Sequence, residues 1–190
     1  MKTVETLHGV GEFVGVSRIG NGNVVQYAAM ERKCHISVEG RLPPQFGLAR
    51  DGIRAAAAQF AARSRSRVGN PRWYEVVVHL VDDVVSGEIH RAIMGVTGAT
   101  DVVTQAYDAI PPEEPGLYGE LFVNVEQAVR AAPRRKGWSV EKEILLYVAH
   151  GMDHLSGADD HAERDYRAMR RRELGWIRAL AGNFKWRAEK

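Results

Sequence analysis

The chain contains very little cysteine and no long apolar segment. Cys34 is the single cysteine among 190 residues, which excludes a fold held together by disulfide bonds. No stretch approaches the roughly 20 apolar residues that a transmembrane helix needs. The N-terminus lacks the apolar stretch of a secretory signal peptide. We therefore expect a cytoplasmic protein that works in a reducing compartment.

The chain also lacks a clear excess of either charge, because 26 Lys and Arg residues stand against 24 Asp and Glu residues. This balance hides an uneven distribution. Residues 73–128 contain ten acidic residues and one basic residue, Arg91, whereas residues 162–190 contain nine basic and four acidic residues. Basic segments beside an acidic region are typical of a surface that binds a polyanion, although solvated charged faces produce the same pattern.

The apolar pattern predicts an α+β fold in which a mixed four-stranded sheet packs with helices. With 45% hydrophobic and 26% charged residues, the composition is that of an ordinary globular domain. Alternating and β-branched runs predict strands, and helical periodicity predicts helices. The expected strands are a hairpin within 12–28 and single strands at 34–38, 74–81, 100–107 and 117–125. The expected helices are 48–62, 84–94, 126–132, 139–155 and 162–181.

A cluster of histidines lies at the end of the helix predicted near the C-terminus. His150, His154 and His161 fall within twelve residues, and positions 150 and 154 lie one turn apart on the same helix face. Two imidazoles at this spacing can bind one metal ion, and Gly157 permits a turn that returns a third ligand. Three protein ligands with an open position are typical of catalytic zinc sites. The alternative interpretation is a solvated helix end that carries incidental histidines.

The residue after the first histidine limits the chemistry of such a site. In metallopeptidases of the H-E-x-x-H pattern this residue is the glutamate that acts as general base. Here it is Gly151, which argues against a peptidase. The remaining chemistry is activation of a metal-bound water, or polarisation of a phosphoryl or carbonyl oxygen.

Three segments resemble one known family. The stretch HGMDHLSGADDH resembles the signature of the YbeY-type endoribonucleases of rRNA maturation, whose pattern is roughly H-G-x-L-H-L-x-G-Y-D-H. The segments HLVDDVVSGEIHRAIMGVTGATDVVTQAYDA and GLYGELFVNVEQA resemble the same family, as do Met169 and Glu173 in the last predicted helix. The resemblance covers about residues 34–180. It predicts a family domain at 34–182, an N-terminal extension at 1–33 that contains the expected hairpin, and a basic tail at 183–190.

The resemblance implies a metal-dependent endoribonuclease that cuts single-stranded RNA in rRNA maturation and ribosome quality control. It implies one Zn²⁺ ion per chain, or another divalent transition metal, bound by His150, His154 and a third ligand. The family's spacing puts the third ligand at Asp160, whereas the family's ligand type favours His161. We expect His161, with Asp160 as the alternative. The implied partners are single-stranded or ribosomal RNA and the small ribosomal subunit, with no membrane and no sequence-specific binding of DNA.

The chain departs from the family in its short predicted helix. The family carries an arginine there that is suited to hold an RNA phosphate, and the equivalent residue here is Met94. Arg91, one turn earlier on the same face, is the candidate substitute. Further phosphate contacts are expected from five basic residues: Arg134, Arg135, Lys136, Arg170 and Arg171.

Two alternatives to the endoribonuclease stay open. One, favoured by Met94 in place of the arginine, is a catalytically impaired RNA- or ribosome-binding assembly factor in which the metal is structural. The other is a metallohydrolase that acts on another substrate.

Overall fold

The structure of the protein is a computed structural model. It describes residues 14–18, 24–28, 34–43, 46–64, 73–108 and 117–180. The chain divides into two compact units, residues 1–33 and 34–190. In the first unit, β1 (Val14–Arg18) and β2 (Val24–Ala28) pair antiparallel, and both strands lie within the hairpin predicted at 12–28. The basic tail predicted at 183–190 lies outside the described residues.

A mixed four-stranded sheet forms the centre of the second unit. Its strands are β3 (His35–Gly40), β4 (Trp73–Val81), β5 (Val102–Asp108) and β6 (Leu117–Asn124), in the spatial order β3-β4-β6-β5. The pairs β3–β4 and β4–β6 are parallel, and the pair β6–β5 is antiparallel. The predicted α+β fold with a mixed four-stranded sheet is confirmed.

The described residues of the second unit also form five α-helices. They are α1 (Arg50–Arg63), α2 (Asp83–Met94), α3 (Val125–Ala131), α4 (Val140–Leu155) and α5 (Glu163–Leu180). A short 3₁₀ turn (Ala132–Arg134) follows α3 and contains Pro133. Proline accounts for this stop because it lacks the N–H that would continue an α-helix. Among the described helices, none is long and apolar enough to cross a membrane.

Helix α4 lies at the centre of the hydrophobic core. Twelve of its sixteen residues are buried, and it contacts β5, β6, α1, α3 and α5. Its apolar side chains pack with those of the sheet, including Val76 and Leu121, and with Phe60 of α1. Phe60 in turn stacks on Trp176 of α5, with the ring centroids 5.9 Å apart. This burial fixes α4 firmly, so side chains at its C-terminal end are presented from a rigid element.

Strand β5 begins two residues later than the sequence predicts. The Asp101 side chain accepts a hydrogen bond from the backbone N–H of Val102 at 2.9 Å and one from the Thr100 hydroxyl at 3.1 Å. These local bonds hold Thr100 and Asp101 in a turn rather than in the strand, as short polar side chains often do. The turn leaves Asp101 at the edge of the sheet, where its charge acts on His150 of α4.

Candidate metal site

The C-terminal end of α4 turns sharply and brings an aspartate over two histidines. Gly157 has a φ of 82°, in the left-handed region that glycine adopts at low cost. Its N–H bonds to the carbonyl of His154 at 2.8 Å, and the N–H of Ala158 bonds to the carbonyl of Asp153 at 3.0 Å. These two bonds form a Schellman motif, which ends a helix and reverses the chain. Asp160 is thereby returned to the face of α4 that carries the histidines.

Three ligand atoms converge at this point. The Nε2 atoms of His150 and His154 lie 3.2 Å apart. Asp160 faces both of them, with Oδ2 at 3.7 Å from His150 Nε2 and Oδ1 at 3.9 Å from His154 Nε2. These are three residues whose side chains could hold one metal ion. Because His150 is buried and the other two are partly exposed, the group opens to solvent on one side.

The hydrogen bonds at the Nδ1 atoms of His150 and His154 determine the tautomer of each imidazole. His154 Nδ1 lies 3.0 Å from the carbonyl oxygen of Ala158, which only accepts, so His154 donates from Nδ1. His150 Nδ1 lies 2.7 Å from Oε1 of Glu173. In the neutral imidazoles, both Nε2 atoms then present lone pairs to each other at 3.2 Å, which is unfavourable without a cation. Two nitrogens bound to one tetrahedral zinc ion at its usual bond length lie about 3.3 Å apart, so the pair fits such an ion.

Glu173 raises the pKa of His150. Burial alone would lower the pKa of His150, but the hydrogen bond and the charge of Glu173 outweigh burial and raise that pKa above its ordinary value. Glu173 is itself 0% exposed, and its Oε2 atom lies 3.2 Å from Nη1 of Arg170. A histidine ligand whose second nitrogen donates to a carboxylate is a common arrangement in metal sites.

His161 lies away from the pair, although the sequence favours it as the third ligand. Its side chain is 90% exposed and forms an ion pair with Asp159, which raises the pKa of His161. Asp159, Asp160 and His161 do lie close together, but Asp159 and His161 are exposed. The physical reason is the turn at Gly157, which points position 160 towards α4 and position 161 towards solvent.

A second ion pair fixes α4 to α5 beside the site. Asp153 is buried, and its Oδ2 atom lies 2.8 Å from Nε and 2.5 Å from Nη2 of Arg172. The family pattern has a leucine at position 153, so here a charged pair occupies a place that is apolar in the pattern. The sequence alone does not predict this pair, because Asp153 and Arg172 are nineteen residues apart. Each of them, taken separately, is an ordinary charged residue.

Gly151 faces the sheet rather than the histidine pair. A Cβ atom at this position would lie 2.7 Å from Leu121 Cδ2, 3.2 Å from Val102 Cγ2 and 3.3 Å from Thr104 Cγ2. Any side chain there would have to displace these side chains, of which Leu121 is fully buried. The position that carries the general base in H-E-x-x-H peptidases is therefore closed to such a residue, which agrees with the argument from sequence against a peptidase.

The candidate RNA-contacting residues differ in their surroundings. Arg91 is exposed in the last turn of α2, and Met94, which ends this helix, is 60% exposed beside the exposed Ile93. The residues Arg134, Arg135, Lys136 and Arg171 are exposed. The side chain of Arg170, in contrast, is 19% exposed and points to Glu173.

Comparison of the sequence with known proteins finds one family. The family model described as Endoribonuclease YbeY matches residues 47–181. The endoribonuclease YbeY of Desulfitobacterium hafniense is 35% identical over 134 residues, which cover 67% of this chain and 80% of that protein. The endoribonuclease YbeY of Thermobifida fusca is 38% identical over 117 residues, covering 56% of this chain and 74% of that protein. A solution structure from Thermotoga maritima aligns with a TM-score of 0.45 and 19% identity, covering 83% of this chain and 99% of that one.

Proposed function

Because the chain belongs to the endoribonuclease YbeY family, we propose that it is a metal-dependent endoribonuclease that cuts single-stranded RNA. We place this activity in the cytoplasm, in rRNA maturation and ribosome quality control, with the small ribosomal subunit as partner. The observation that carries the proposal is the pair of Nε2 atoms 3.2 Å apart, faced by a carboxylate. This arrangement supports a bound divalent cation, for which we propose Zn²⁺.

In this proposal His150, His154 and Asp160 hold the ion. Imidazole nitrogens and a carboxylate oxygen are ligands that zinc accepts. When bound, the ion supplies Lewis-acid chemistry at a phosphoryl oxygen or a water molecule. Asp160 thus replaces His161, the residue expected from the sequence, as the third ligand, and its negative charge would make the ion a weaker Lewis acid than a third imidazole would. His161 binds instead only if residues 158–161 rearrange.

The protein's own residues orient the site and hold the substrate. Glu173 and the carbonyl of Ala158 accept the Nδ1 protons of the two histidines, which keeps both Nε2 atoms turned towards the ion. The exposed side chains of Arg134, Lys136 and Arg171 are proposed to bind RNA phosphates, with Arg91 as the candidate substitute for the family's arginine. We propose no phosphate contact for Arg170, because its guanidinium is committed to Glu173.

One observation favours a second function. Met94 is largely exposed and cannot hold a phosphate, so the chain supports the alternative of an RNA- or ribosome-binding assembly factor with a structural metal. In that case the ion joins the end of α4 to the turn that follows it. RNA binding would then persist without cleavage. No specific feature favours a metallohydrolase acting on a different substrate.

Metal analysis and RNA cleavage together test the proposal. The purified protein should contain about one zinc ion per chain or take one up, and it should cut single-stranded RNA. His154→Ala and Asp160→Ala should each lose metal and cleavage, while His161→Ala should retain both. Equal cleavage by wild type and His154→Ala would contradict a metal-dependent ribonuclease. RNA binding without cleavage by the metal-loaded wild type would favour the assembly factor.

A further inference from the structure

Arg135 is a cation that the protein holds in a fixed position at the start of α4. Its Nη1 atom forms an ion pair with the carboxylate of Glu143, which is 2% exposed. Its guanidinium lies over the ring of Trp138 at 5.7 Å, and the ammonium of Lys142 lies at 5.7 Å from the same ring. A buried carboxylate and an aromatic ring thus order this guanidinium before any ligand arrives. Such preorganisation reduces the conformational entropy lost on binding.

The carboxylate that anchors Arg135 lies on the same face of α4 as the candidate metal ligands. Glu143, Tyr147, His150 and His154 follow one another at spacings of three or four residues. Residues at these spacings share one face of a helix. Arg135 therefore lies over the line of side chains that leads to the histidine pair.

Electrostatic interactions connect the two ends of this line. Burial raises the pKa of Tyr147, and the charges of Glu143, Asp101 and Arg135 all act on its hydroxyl. The charge of Asp101 acts on His150 as well. Tyr147, which lies between Glu143 and His150 on this face of α4, is therefore subject to the charge of Arg135.

The separation along α4 suits a single strand of RNA. Glu143 and His150 are seven residues apart, which corresponds to roughly 10 Å along the helix axis. Phosphates recur about every 3.4 Å along one strand of a double helix, and they are farther apart in an extended strand. A strand that places one phosphate at the histidine pair therefore brings a phosphate to Arg135 within about three nucleotides.

Arg135 also has donors to spare for such a phosphate. A guanidinium has five N–H donors, and the ion pair with Glu143 uses Nη1. The side chain is 42% exposed, so part of this donor set reaches solvent. Met94, at the place where the family has its arginine, offers no donor at all.

We propose that Arg135 binds an RNA phosphate within three nucleotides of the scissile bond and so positions the strand on the metal site. Arg135 then supplies, from the segment that precedes α4, a phosphate contact in addition to the one proposed for Arg91 in α2. This inference rests on the proposed endoribonuclease function, and it makes Arg135 a positioning residue rather than a catalytic one.

The first experiment measures binding of a short single-stranded RNA to the zinc-loaded protein. Arg135→Gln should weaken binding about tenfold, the usual effect of losing one charge-assisted hydrogen bond. It should also reduce the slope of log affinity against log salt by about 0.7, the value for one phosphate contact in a single strand. Zinc affinity should not change, because the ligands remain in place.

Two further variants make this result interpretable. Arg135→Gln leaves the buried carboxylate of Glu143 without its cation, which could destabilise the fold. The double variant Arg135→Gln/Glu143→Gln removes both charges and so avoids an unpaired buried carboxylate. It should fold and show the same loss of RNA affinity. Arg54→Gln is the matched control, because Arg54 is an exposed arginine of α1 that is also ion-paired, to Asp51 at 2.8 Å. It should bind RNA as the wild type does.

A second experiment locates the phosphate. Oligonucleotides are prepared with a single uncharged methylphosphonate at successive 2′-deoxy linkages around the scissile bond, each compared with the charged 2′-deoxy linkage. At one linkage within three nucleotides of the scissile bond, the methylphosphonate should lower the RNA affinity of the wild type. The same methylphosphonate should not lower the RNA affinity of the Arg135 variants further. Equal losses in wild type and variants at every linkage would overturn the proposal.

The outcomes separate this inference from the function on which it rests. If the zinc-loaded wild type neither binds nor cuts single-stranded RNA, the proposed function fails and the role of Arg135 fails with it. If wild type binds and cuts, but both Arg135 variants keep the wild-type affinity and salt dependence, the role of Arg135 alone fails.

Discussion

The Nε2 atoms of two histidines determine what the site can bind. His150 and His154 both direct Nδ1 at an acceptor, the Glu173 carboxylate and the Ala158 carbonyl. Their Nε2 lone pairs therefore meet at 3.2 Å. Two lone pairs at this distance repel unless a proton or a cation lies between them. The carboxylate of Asp160 beside them makes a cation the favourable occupant.

Glu173→Gln should weaken zinc binding by about 10–100-fold, the usual effect of removing such a supporting carboxylate. Glutamine can still accept the hydrogen bond from His150, but it no longer supplies the charge that makes the imidazole a better ligand. Competition with a chelator measures the affinity. Glu163→Gln is the matched control, since Glu163 is an exposed residue of the same helix that pairs with Arg167 at 2.7 Å. Unchanged zinc affinity in Glu173→Gln would show that the carboxylate does not support the metal.

Gly151→Ala should destabilise the fold by about 1–3 kcal/mol, as overpacking in a close-packed core does. The added Cβ would lie 2.7 Å from Leu121 Cδ2, which outweighs the gain that alanine gives within a helix. Gly175→Ala in α5 is the matched control, because nothing lies within 4 Å of its added Cβ. This variant should gain roughly 0.5–1 kcal/mol. Chemical denaturation measures both, and a stabilised Gly151→Ala would contradict the close packing of α4 on the sheet.

The elements themselves follow closely from the sequence, whereas their contacts do not. Periodicity predicts α4 and the runs that become β4 and β6. The observed helix begins after Ser139, whose hydroxyl accepts a hydrogen bond from the N–H of Lys142. The third ligand is a different matter, because spacing favours Asp160 and residue type favours His161. Only the backbone path after Gly157 places one of them near the histidines. Pairs that are distant in sequence, such as Asp153 with Arg172, produce no local sequence pattern from which the contact could be predicted.

Gly157→Ala should weaken zinc binding more than its effect on stability alone explains. Alanine in the left-handed conformation costs about 1–2 kcal/mol, and the turn relieves this strain by shifting, which moves Asp160. Gly137→Ala is the matched control, because Gly137 also has a positive φ, 71°, with nothing within 4 Å of an added Cβ. Both variants should lose similar stability in thermal denaturation. Equal zinc affinities would mean that the turn does not position Asp160.

Charge is separated across the second unit as a whole. The acidic middle segment contributes Glu75 and Glu120 to neighbouring strands of the sheet, and Glu120 joins Glu39 in flanking His79. Of the exposed basic residues proposed for RNA binding, Arg91 lies within this segment, in α2, whereas Arg134, Lys136 and Arg171 lie in the connection between α3 and α4 and in α5. The net charge of +2 therefore does not oppose RNA binding. Salt screens charges beyond about 10 Å, so a bound RNA strand interacts mainly with the protein charges close to it.

This separation predicts that position, not net charge, sets the salt dependence of RNA binding. The triple variant Arg134→Gln/Lys136→Gln/Arg171→Gln should reduce the slope of log affinity against log salt by about 2, since each single-strand contact contributes about 0.7. The matched triple variant Arg41→Gln/Arg50→Gln/Arg54→Gln removes the same charge from other exposed positions and should leave the slope unchanged. Fluorescence anisotropy over a range of salt concentrations measures both. If the two variants lower the slope equally, RNA responds to overall charge, and the basic residues near α4 and α5 are not its binding surface.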